Sequence, residues 1–230
     1  MNNLQKAGGF AALYLATAYL LGLVLFIVVL DYPSIVDPAQ KIALLVNQQT
    51  IMYATNLILY VVFGVLLVVL LLALYGRLGT GARATMQVAT VIGFIWAGSL
   101  IASGMVLNAG IAPTVALYGQ DPAQAALSWQ VFEAVASGLG NGNGEILGGL
   151  MTLLISWAAL RGGGLPRLLN YLGVVVGLVG IVSTVPGLAG LAAIFGMSQM
   201  AWFVWLAAIL LRPLPASTAD RDPAKQHTPV

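Results

Sequence analysis

Long apolar segments separated by short polar breaks run along almost the whole of this chain. A helix that crosses the hydrocarbon core of a bilayer, about 30 Å thick, needs about 20 mostly apolar residues. Six segments come close to that length, and they cover residues 8–30, 51–75, 88–112, 141–160, 168–188 and 195–211. The breaks between them carry glycine, proline and aspartate, which favour turns and helix ends. The pattern predicts an all-α membrane protein built as a six-span helical bundle.

The composition agrees with a chain whose solvent is lipid. Hydrophobic residues make up 60% of the sequence and charged residues only 7%, whereas a soluble domain carries about a quarter charged residues. The net charge of +2 is spread over single basic residues, so we expect membrane lipids as partners and no nucleic acid. The first apolar run is longer than the roughly 7–15 residues of a signal-peptide core, and we interpret it as a retained span.

Basic residues give the predicted bundle an orientation. Lys6 precedes the first span. Basic residues also flank two turns on the same side and follow the sixth span: Arg77, Arg83, Arg161, Arg167, Arg212, Arg221 and Lys225. The opposite side carries only Lys41. Because basic residues collect in cytoplasmic loops, both termini are predicted to be cytoplasmic.

The chain divides into an apolar domain and a polar tail. Residues 1–212 contain all the predicted spans and form a single transmembrane domain. Residues 213–230 are rich in proline, alanine and charge and have no apolar periodicity. Such a segment cannot bury enough apolar surface to order itself, so we expect a disordered cytoplasmic tail.

A repeated tetrapeptide indicates internal symmetry. Asp-Pro-Ala-Gln occurs at 37–40 and again at 121–124, 84 residues later, and the same offset relates Arg77 to Arg161. Each aspartate would cap a helix whose first residue is proline, which predicts short extracytoplasmic helices before spans two and four. A parallel repeat of span, outer helix and span explains the offset. Alternatively, similar span lengths and the placing of arginines in inner turns produce it without a repeat.

Glu145 is the main chemical clue, because it is a carboxylate inside a predicted span. An ionisable residue in the hydrocarbon core is costly and indicates a functional site. At about 1.5 Å per helical residue, Glu145 lies about 24 Å from Arg161, in the outer part of the membrane. Glu133 lies twelve residues further out, so the two carboxylates are not expected to act as a pair. The structural alternative is a protonated or capped glutamate that bonds amide or backbone groups at the start of span four.

Other polar residues are predicted at similar depths. If they face inward, they form with Glu145 a ligand site beneath the outer helices. The candidate hydrogen-bonding residues are Asn141, Asn143, Tyr60, Asn108 and Gln199. Asn141 lies four residues before Glu145, which places the two on one helix face.

The glycines near Glu145 admit two interpretations. Gly140, Gly144 and Gly148 recur every four residues, as do Gly173 and Gly177, and this spacing lets a second helix pack closely. Glycines also permit a break in span four, whose freed backbone groups would line a cavity. Close packing is the commoner use of such spacing.

Missing residue types exclude several chemistries. The sequence contains no cysteine, and its single histidine, His227, lies in the polar tail. Thiolate or multi-histidine metal sites, disulfides and Ser-His hydrolysis within the membrane are therefore excluded. We expect no metal and no cofactor.

Three blocks of the sequence carry a family resemblance. They are the opening NNLQKAGGFAALYLATAYLLG, the central GEILGGLMTLLISWAALRGGGLPRLLNYLGVVVGLVGIVSTVP and the closing FGMSQMAWFVWLAAILLR. They resemble the bacterial membrane family catalogued as domain of unknown function 4386, and the central block with Glu145, Trp157 and Arg161 is the most specific part. The resemblance covers nearly the whole chain except the tail. It implies a multi-pass protein of the bacterial inner (plasma) membrane and supplies no catalytic residues.

These observations lead to one functional hypothesis and two alternatives. The hypothesis is a protein that binds or transports a small apolar, amphipathic or cationic ligand at an outer-leaflet site around Glu145. The first alternative is a structural or regulatory membrane protein that acts through span–span contacts, including those of a homo-oligomer. The second is a lipid- or isoprenoid-modifying enzyme, for which Glu133 and Glu145 are the only acid–base candidates.

Overall fold

Helices make up all the regular structure of the described residues, which in this computed structural model are 3–141, 145–188 and 190–212. The α-helices in these ranges are α1 (Asn3–Leu23), α2 (Pro38–Asn47), α3 (Gln49–Asn56), α4 (Phe63–Leu78), α5 (Arg83–Tyr118), α6 (Pro122–Ala136), α7 (Ile146–Gly162), α8 (Arg167–Val182) and α9 (Leu191–Leu210). Wider π-helical turns at Val24–Val29, Leu57–Val62 and Ser137–Asn141 extend α1, join α3 to α4 and extend α6. A short 3-10 turn occupies Tyr32–Ser34. The all-α prediction is confirmed over these ranges.

Among the described residues, four helical stretches are long and apolar enough to cross a membrane. They are Asn3–Val29, Gln49–Leu78, Arg83–Tyr118 and Leu191–Leu210. The fourth and fifth predicted spans correspond to α7 and α8, which are apolar but only 17 and 16 residues long. The sequence placed the start of span four at residue 141, whereas α7 starts at Ile146. The difference arises at Gly140, whose φ of 122° no α-helix accommodates.

The long helices of the described chain form a ring in chain order. Helix α1 packs against α4, α4 against α5, α5 against α7, α7 against α8 and α8 against α9, and α9 returns to α1. Leucine and methionine side chains fill the part of the ring nearer the arginine-bearing turns. Leu67, Leu71, Met151, Ile155 and Leu206 are all fully or almost fully buried there.

The predicted aspartate caps are present at both Asp-Pro pairs. Asp37 Oδ1 accepts a hydrogen bond from the Ala39 backbone N–H at 3.0 Å. Asp121 Oδ1 accepts from the N–H groups of Ala123 and Gln124 at 3.1 and 3.0 Å. Proline then occupies the start of each helix, where its missing N–H costs no hydrogen bond. The two short helices that result, α2 and α6, pack against each other.

The two turns that carry arginines also lie beside each other. Arg77 Nε donates to the Gly164 carbonyl oxygen at 2.9 Å. A Cβ atom built on Gly81 would lie 2.6 Å from the Gly162 carbonyl oxygen, so the backbones of the two turns are in direct contact. The bundle therefore has one end formed by these turns and another formed by α2 and α6.

Glycines bring the backbones of α7 and α8 into contact. A Cβ on Gly177 would lie 2.7 Å from the Gly149 carbonyl oxygen, and a Cβ on Gly149 would lie 2.7 Å from the Gly177 carbonyl oxygen. Gly173, on the same face of α8, adjoins Ser156 Oγ. Gly148, which the sequence also placed on a packing face, adjoins the Trp96 ring of α5, and a Cβ on Gly148 would lie 2.8 Å from that ring.

Gly177→Ala should destabilise the protein, because the added methyl group overlaps the backbone of α7. Overpacking of this kind costs roughly 1–3 kcal/mol, and we expect a lower thermal unfolding midpoint for the purified protein in detergent. The matched control is Gly98→Ala in α5, where a Cβ would meet nothing within 4 Å. That variant should be neutral or slightly more stable, since alanine favours helix over glycine. Equal midpoints for the two variants would contradict the close packing.

Candidate ligand-binding site

A break in the helix presents Glu145 at the start of α7. Gly140 adopts a left-handed conformation, which side-chain-bearing residues rarely adopt, and the helical path from α6 ends there. The Glu145 backbone N–H donates to Ser183 Oγ at 3.3 Å, which joins the start of α7 to the end of α8. The Glu145 side chain makes no capping hydrogen bond to α7. Glu145 is partly buried and lines a cavity.

This cavity, the Glu145 cavity, has a volume of about 230 Å³. Leucine, alanine and glycine contribute to its walls, and five aromatic residues line it: Tyr19, Phe26, Tyr60, Phe63 and Trp96. Tyr19 and Tyr60 line this cavity together with Glu145, so their phenol groups share it with the one acid. The ion pair found among the described residues joins Lys41 to Glu133 and does not include Glu145. The Glu145 cavity therefore combines one acid with five aromatic residues.

Edge-to-face contacts order the aromatic wall. The Phe63 ring meets Tyr19 at a centroid distance of 5.7 Å and an interplanar angle of 78°. The same ring meets Trp96 at 5.9 Å and 75°, and Phe203 at 6.3 Å and 74°. Such geometries are the favoured ones for aromatic pairs. Phe63 therefore acts as the centre of a packed aromatic layer between the cavity and the leucine-rich core.

Tyr60 reaches the cavity from the π-helical turn Leu57–Val62. A π turn interrupts the regular hydrogen bonding of a helix and is common at functional sites. The Tyr14 hydroxyl donates to the Ile58 carbonyl oxygen at 2.8 Å and so holds the turn against α1. On the other side, a Cβ on Gly104 would lie 2.8 Å from Tyr60 Cβ. The glycine lets α5 approach and fixes where Tyr60 stands.

A further cavity of about 360 Å³, the outer cavity, lies beneath α6. Its lining includes Tyr32, Asn56, Trp129 and Glu133. Phe26 and Tyr60 line both cavities and therefore stand between them. The sequence assigned Glu133 to the outer helix or the interface, and the structure places it at this second cavity. Glu133 and Glu145 therefore line different cavities.

The other predicted partners of Glu145 lie elsewhere. Asn108 Oδ1 accepts from Asn56 Nδ2 at 3.0 Å, so Asn108 orients a residue of the outer cavity without lining either space. Gln199 is fully buried and its Oε1 accepts from Thr152 Oγ1 at 3.0 Å, between α9 and α7. Asn143 and Gly144 lie outside the described residues, as does the side chain of Asn141. Of the predicted set, Tyr60 is the residue brought to Glu145.

Sequence reasoning missed the aromatic walls. Tyr19, Phe63 and Trp96 occur in apolar helices, where an aromatic residue is usually core. Position along the chain gave no signal for them, because Tyr19 and Phe63 lie near the middle of their predicted spans and Trp96 lies nearer the arginine end of its span. Height alone does not give the direction in which a side chain points.

Comparison of the chain with protein-family models, curated proteins and solved structures finds no match. The family resemblance carried by the three sequence blocks therefore stays a prediction.

Gln199→Met should destabilise the protein, because it leaves Thr152 Oγ1 buried without its side-chain acceptor. We expect a loss of about 0.5–2 kcal/mol in the free energy of unfolding. The double variant Thr152→Val/Gln199→Met should recover most of that loss, since both polar partners are then removed together. Thermal unfolding of the three variants and the wild type in detergent tests this. A double variant less stable than Gln199→Met would show that the pair does not act as a unit.

Proposed function

We propose that this protein binds a small hydrophobic cation, an amine or a quaternary ammonium, in the Glu145 cavity, and that it does so as a multi-pass membrane protein. The observation that carries the proposal is one carboxylate facing an aromatic-lined space of about 230 Å³. Cations are attracted to the faces of Trp, Tyr and Phe, and aromatic cages are a known means of binding quaternary ammonium groups. A carboxylate in apolar surroundings also gains most from a ligand of opposite charge.

The packing of the ring supports access from the end formed by α2 and α6. Beneath the aromatic layer the interior is filled by buried side chains such as Leu67, Leu71 and Leu206. The outer cavity lies on the other side of Phe26 and Tyr60. A ligand would therefore reach Glu145 through the outer cavity or laterally from the lipid, and transport would require the leucine-rich half of the bundle to open.

The membrane arrangement that accompanies this function has six spans, with both termini cytoplasmic in a bacterial inner membrane. Helices α7 and α8 would reach about 25 Å each at 1.5 Å per residue, and local thinning of the bilayer accommodates short spans. The ring of helices in chain order suits three hairpin units, of which the first two would form the 84-residue parallel repeat. The adjacent arginine turns and the adjacent α2 and α6 suit the same arrangement.

The alternatives have less support. A protein that signals through glycine-lined span contacts needs those glycines on its outside, but Gly149 and Gly177 are used within the chain, between α7 and α8. A lipid-modifying enzyme needs an acid and a base at one place, but Glu133 and Glu145 line different cavities. A homo-oligomer remains compatible with cation binding.

Glu145→Gln should weaken binding of benzyltrimethylammonium, a small aromatic cation, roughly 10- to 100-fold. The neutral amide keeps the shape of the side chain and removes the charge that the cation meets. Neopentylbenzene, which has carbon in place of nitrogen and no charge, should bind both proteins equally. Equilibrium binding to the purified full chain in detergent gives both affinities.

The matched control is Asp31→Asn, which removes one carboxylate charge at an exposed position that lines neither cavity. Asp31 has a φ of 45°, and asparagine tolerates that conformation well. This variant should bind the cation like the wild type. Equal loss in both variants would indicate a general charge effect, and no loss in Glu145→Gln would refute the proposed site.

The proposed orientation predicts opposite labelling of two turns. The native chain has no cysteine, so Thr80→Cys and Gln120→Cys each introduce a single thiol, at an arginine turn and just before α6 respectively. A membrane-impermeant maleimide added outside intact cells should label Gln120→Cys, and should label Thr80→Cys only after permeabilisation. The reverse pattern would invert the topology, and labelling of both in intact cells would show that α5 does not cross the membrane between them.

A further inference from the structure

Four side chains meet above the outer cavity and connect separate segments of the chain. The Tyr32 hydroxyl donates a hydrogen bond to Glu133 Oε1. Trp129 Nε1 donates to the Tyr32 hydroxyl oxygen at 3.1 Å, and Lys41 Nζ lies 3.6 Å from Glu133 Oε1. The cluster thus joins the 3-10 turn after α1 to α2 and α6. Tyr32, Trp129 and Glu133 also line the outer cavity.

The ammonium group of Lys41 shows what chemistry this cluster binds. Besides facing the Glu133 carboxylate, Lys41 Nζ lies over the Tyr32 ring, 4.9 Å from its centroid. A carboxylate together with an aromatic face is a favourable environment for an ammonium cation. The cluster is therefore an ammonium site whose occupant, in this structure, is a side chain of the protein itself.

Lys41 holds this position loosely. Its distance of 3.6 Å from Glu133 is well beyond the 2.7–2.9 Å of a strong charge-assisted hydrogen bond. The two side chains are 26% and 24% exposed, and partly exposed ion pairs are weak. Lysine is also flexible and readily carries its ammonium group into water. The contact of Lys41 with Glu133 is therefore a weak one.

Tyr32 keeps Glu133 in place when Lys41 leaves. Burial, and then the neighbouring Glu133 carboxylate, raise the pKa of Tyr32 well above its ordinary value. The phenol therefore stays protonated and continues to donate to Glu133, while Trp129 holds the phenol oxygen. The carboxylate and the aromatic face stay together as one site.

The two cavities give this site a connection to Glu145. Glu133 lines the outer cavity and Glu145 lines the Glu145 cavity, and Phe26 and Tyr60 line both. Both of these are aromatic, so a cation that moves from one carboxylate to the other passes along aromatic faces. The arrangement offers two acidic positions for one positive charge.

We propose that Glu133 and the Tyr32 ring form an outer binding site for a small hydrophobic ammonium cation, and that Lys41 is a tethered competitor which the incoming cation displaces. This inference rests on the proposed function at Glu145, for which the outer site serves as the point of access. In the wild type Lys41 lowers occupancy of the outer site, so that most bound ligand is at Glu145.

The test is the binding stoichiometry of benzyltrimethylammonium on the purified full chain in detergent. The wild type should bind one equivalent with the higher affinity, at Glu145. Lys41→Met removes the competing charge at nearly constant side-chain length, and a second equivalent should then bind. The matched control Lys41→Arg keeps the charge and should behave like the wild type. Lys41→Met/Glu133→Gln should lose the second equivalent and keep the first.

The outcomes separate the two proposals. If Lys41→Met binds one equivalent and Glu145→Gln abolishes it, the outer site is refuted and the Glu145 site stands. The double variant Lys41→Met/Glu145→Gln lacks the Glu145 site. If it still binds one equivalent, and adding Glu133→Gln to it abolishes that binding, the outer site stands. If Glu145→Gln alone leaves the higher-affinity equivalent unchanged, the Glu145 site is refuted.

A second measurement applies if Lys41→Met does not fold. Glu133→Gln removes the acid of the outer site and leaves Lys41 as an uncompensated cation at the point of access. Association of benzyltrimethylammonium with this variant should be roughly tenfold slower than with the wild type, while association of uncharged neopentylbenzene is unchanged. Equal association rates for the cation would overturn the proposal.

Discussion

The need to satisfy backbone hydrogen bonds in apolar surroundings governs this structure. Where no water is available, a helix satisfies these groups within itself, and any departure from helix requires another partner. Three of the irregular places here have such partners. Tyr14 donates to the Ile58 carbonyl in one π turn, Ser103 Oγ donates to the Ala136 carbonyl at 2.8 Å before another, and Ser183 Oγ accepts from the Glu145 N–H.

These irregular places lie around the two cavities. The π turn Leu57–Val62 carries Tyr60 into both of them, and the turn Ser137–Asn141 leads to Gly140 at the wall of the Glu145 cavity. In a regular helix, the side chains that face a neighbouring helix pack against it and leave no space. Departures from it create space and re-aim side chains. The backbone constraint and the binding site are therefore linked, because the side chains that permit the irregular turns also shape the cavities.

The bundle is consequently asymmetric along its length. One half is filled by leucine, methionine and alanine side chains. The other half contains aromatic walls, both carboxylates of the cavities and the cap made by α2 and α6. A close-packed interior resists change in shape, whereas the aromatic half contains empty volume that a ligand can fill. This difference is why binding from the cap end is the function that the geometry supports best.

The sequence by itself determined the existence of the helices, and some of their ends. Apolar length and turn residues located the long helices, and the Asp-Pro pairs located α2 and α6 because a cap and a proline act through local hydrogen bonds and φ alone. Spacing also gave Glu145 and Tyr60 similar heights. The rotation of each helix about its axis could not be obtained this way, since a helix that is apolar all round has no face marked by periodicity.

The rotation of each helix about its axis determined which residues form the site, and only the tertiary structure showed that rotation. Gln199 and Asn108 have plausible heights but bond Thr152 and Asn56, whereas Tyr19 and Trp96, which look like ordinary core residues, line the cavity with Glu145. Gly149 is another example. It follows the predicted Gly148 by one residue, and it is Gly149 that contacts α8. One residue rotates a side chain by about 100° around an α-helix, so contact between helices, not spacing along the chain, determined which polar and aromatic groups meet.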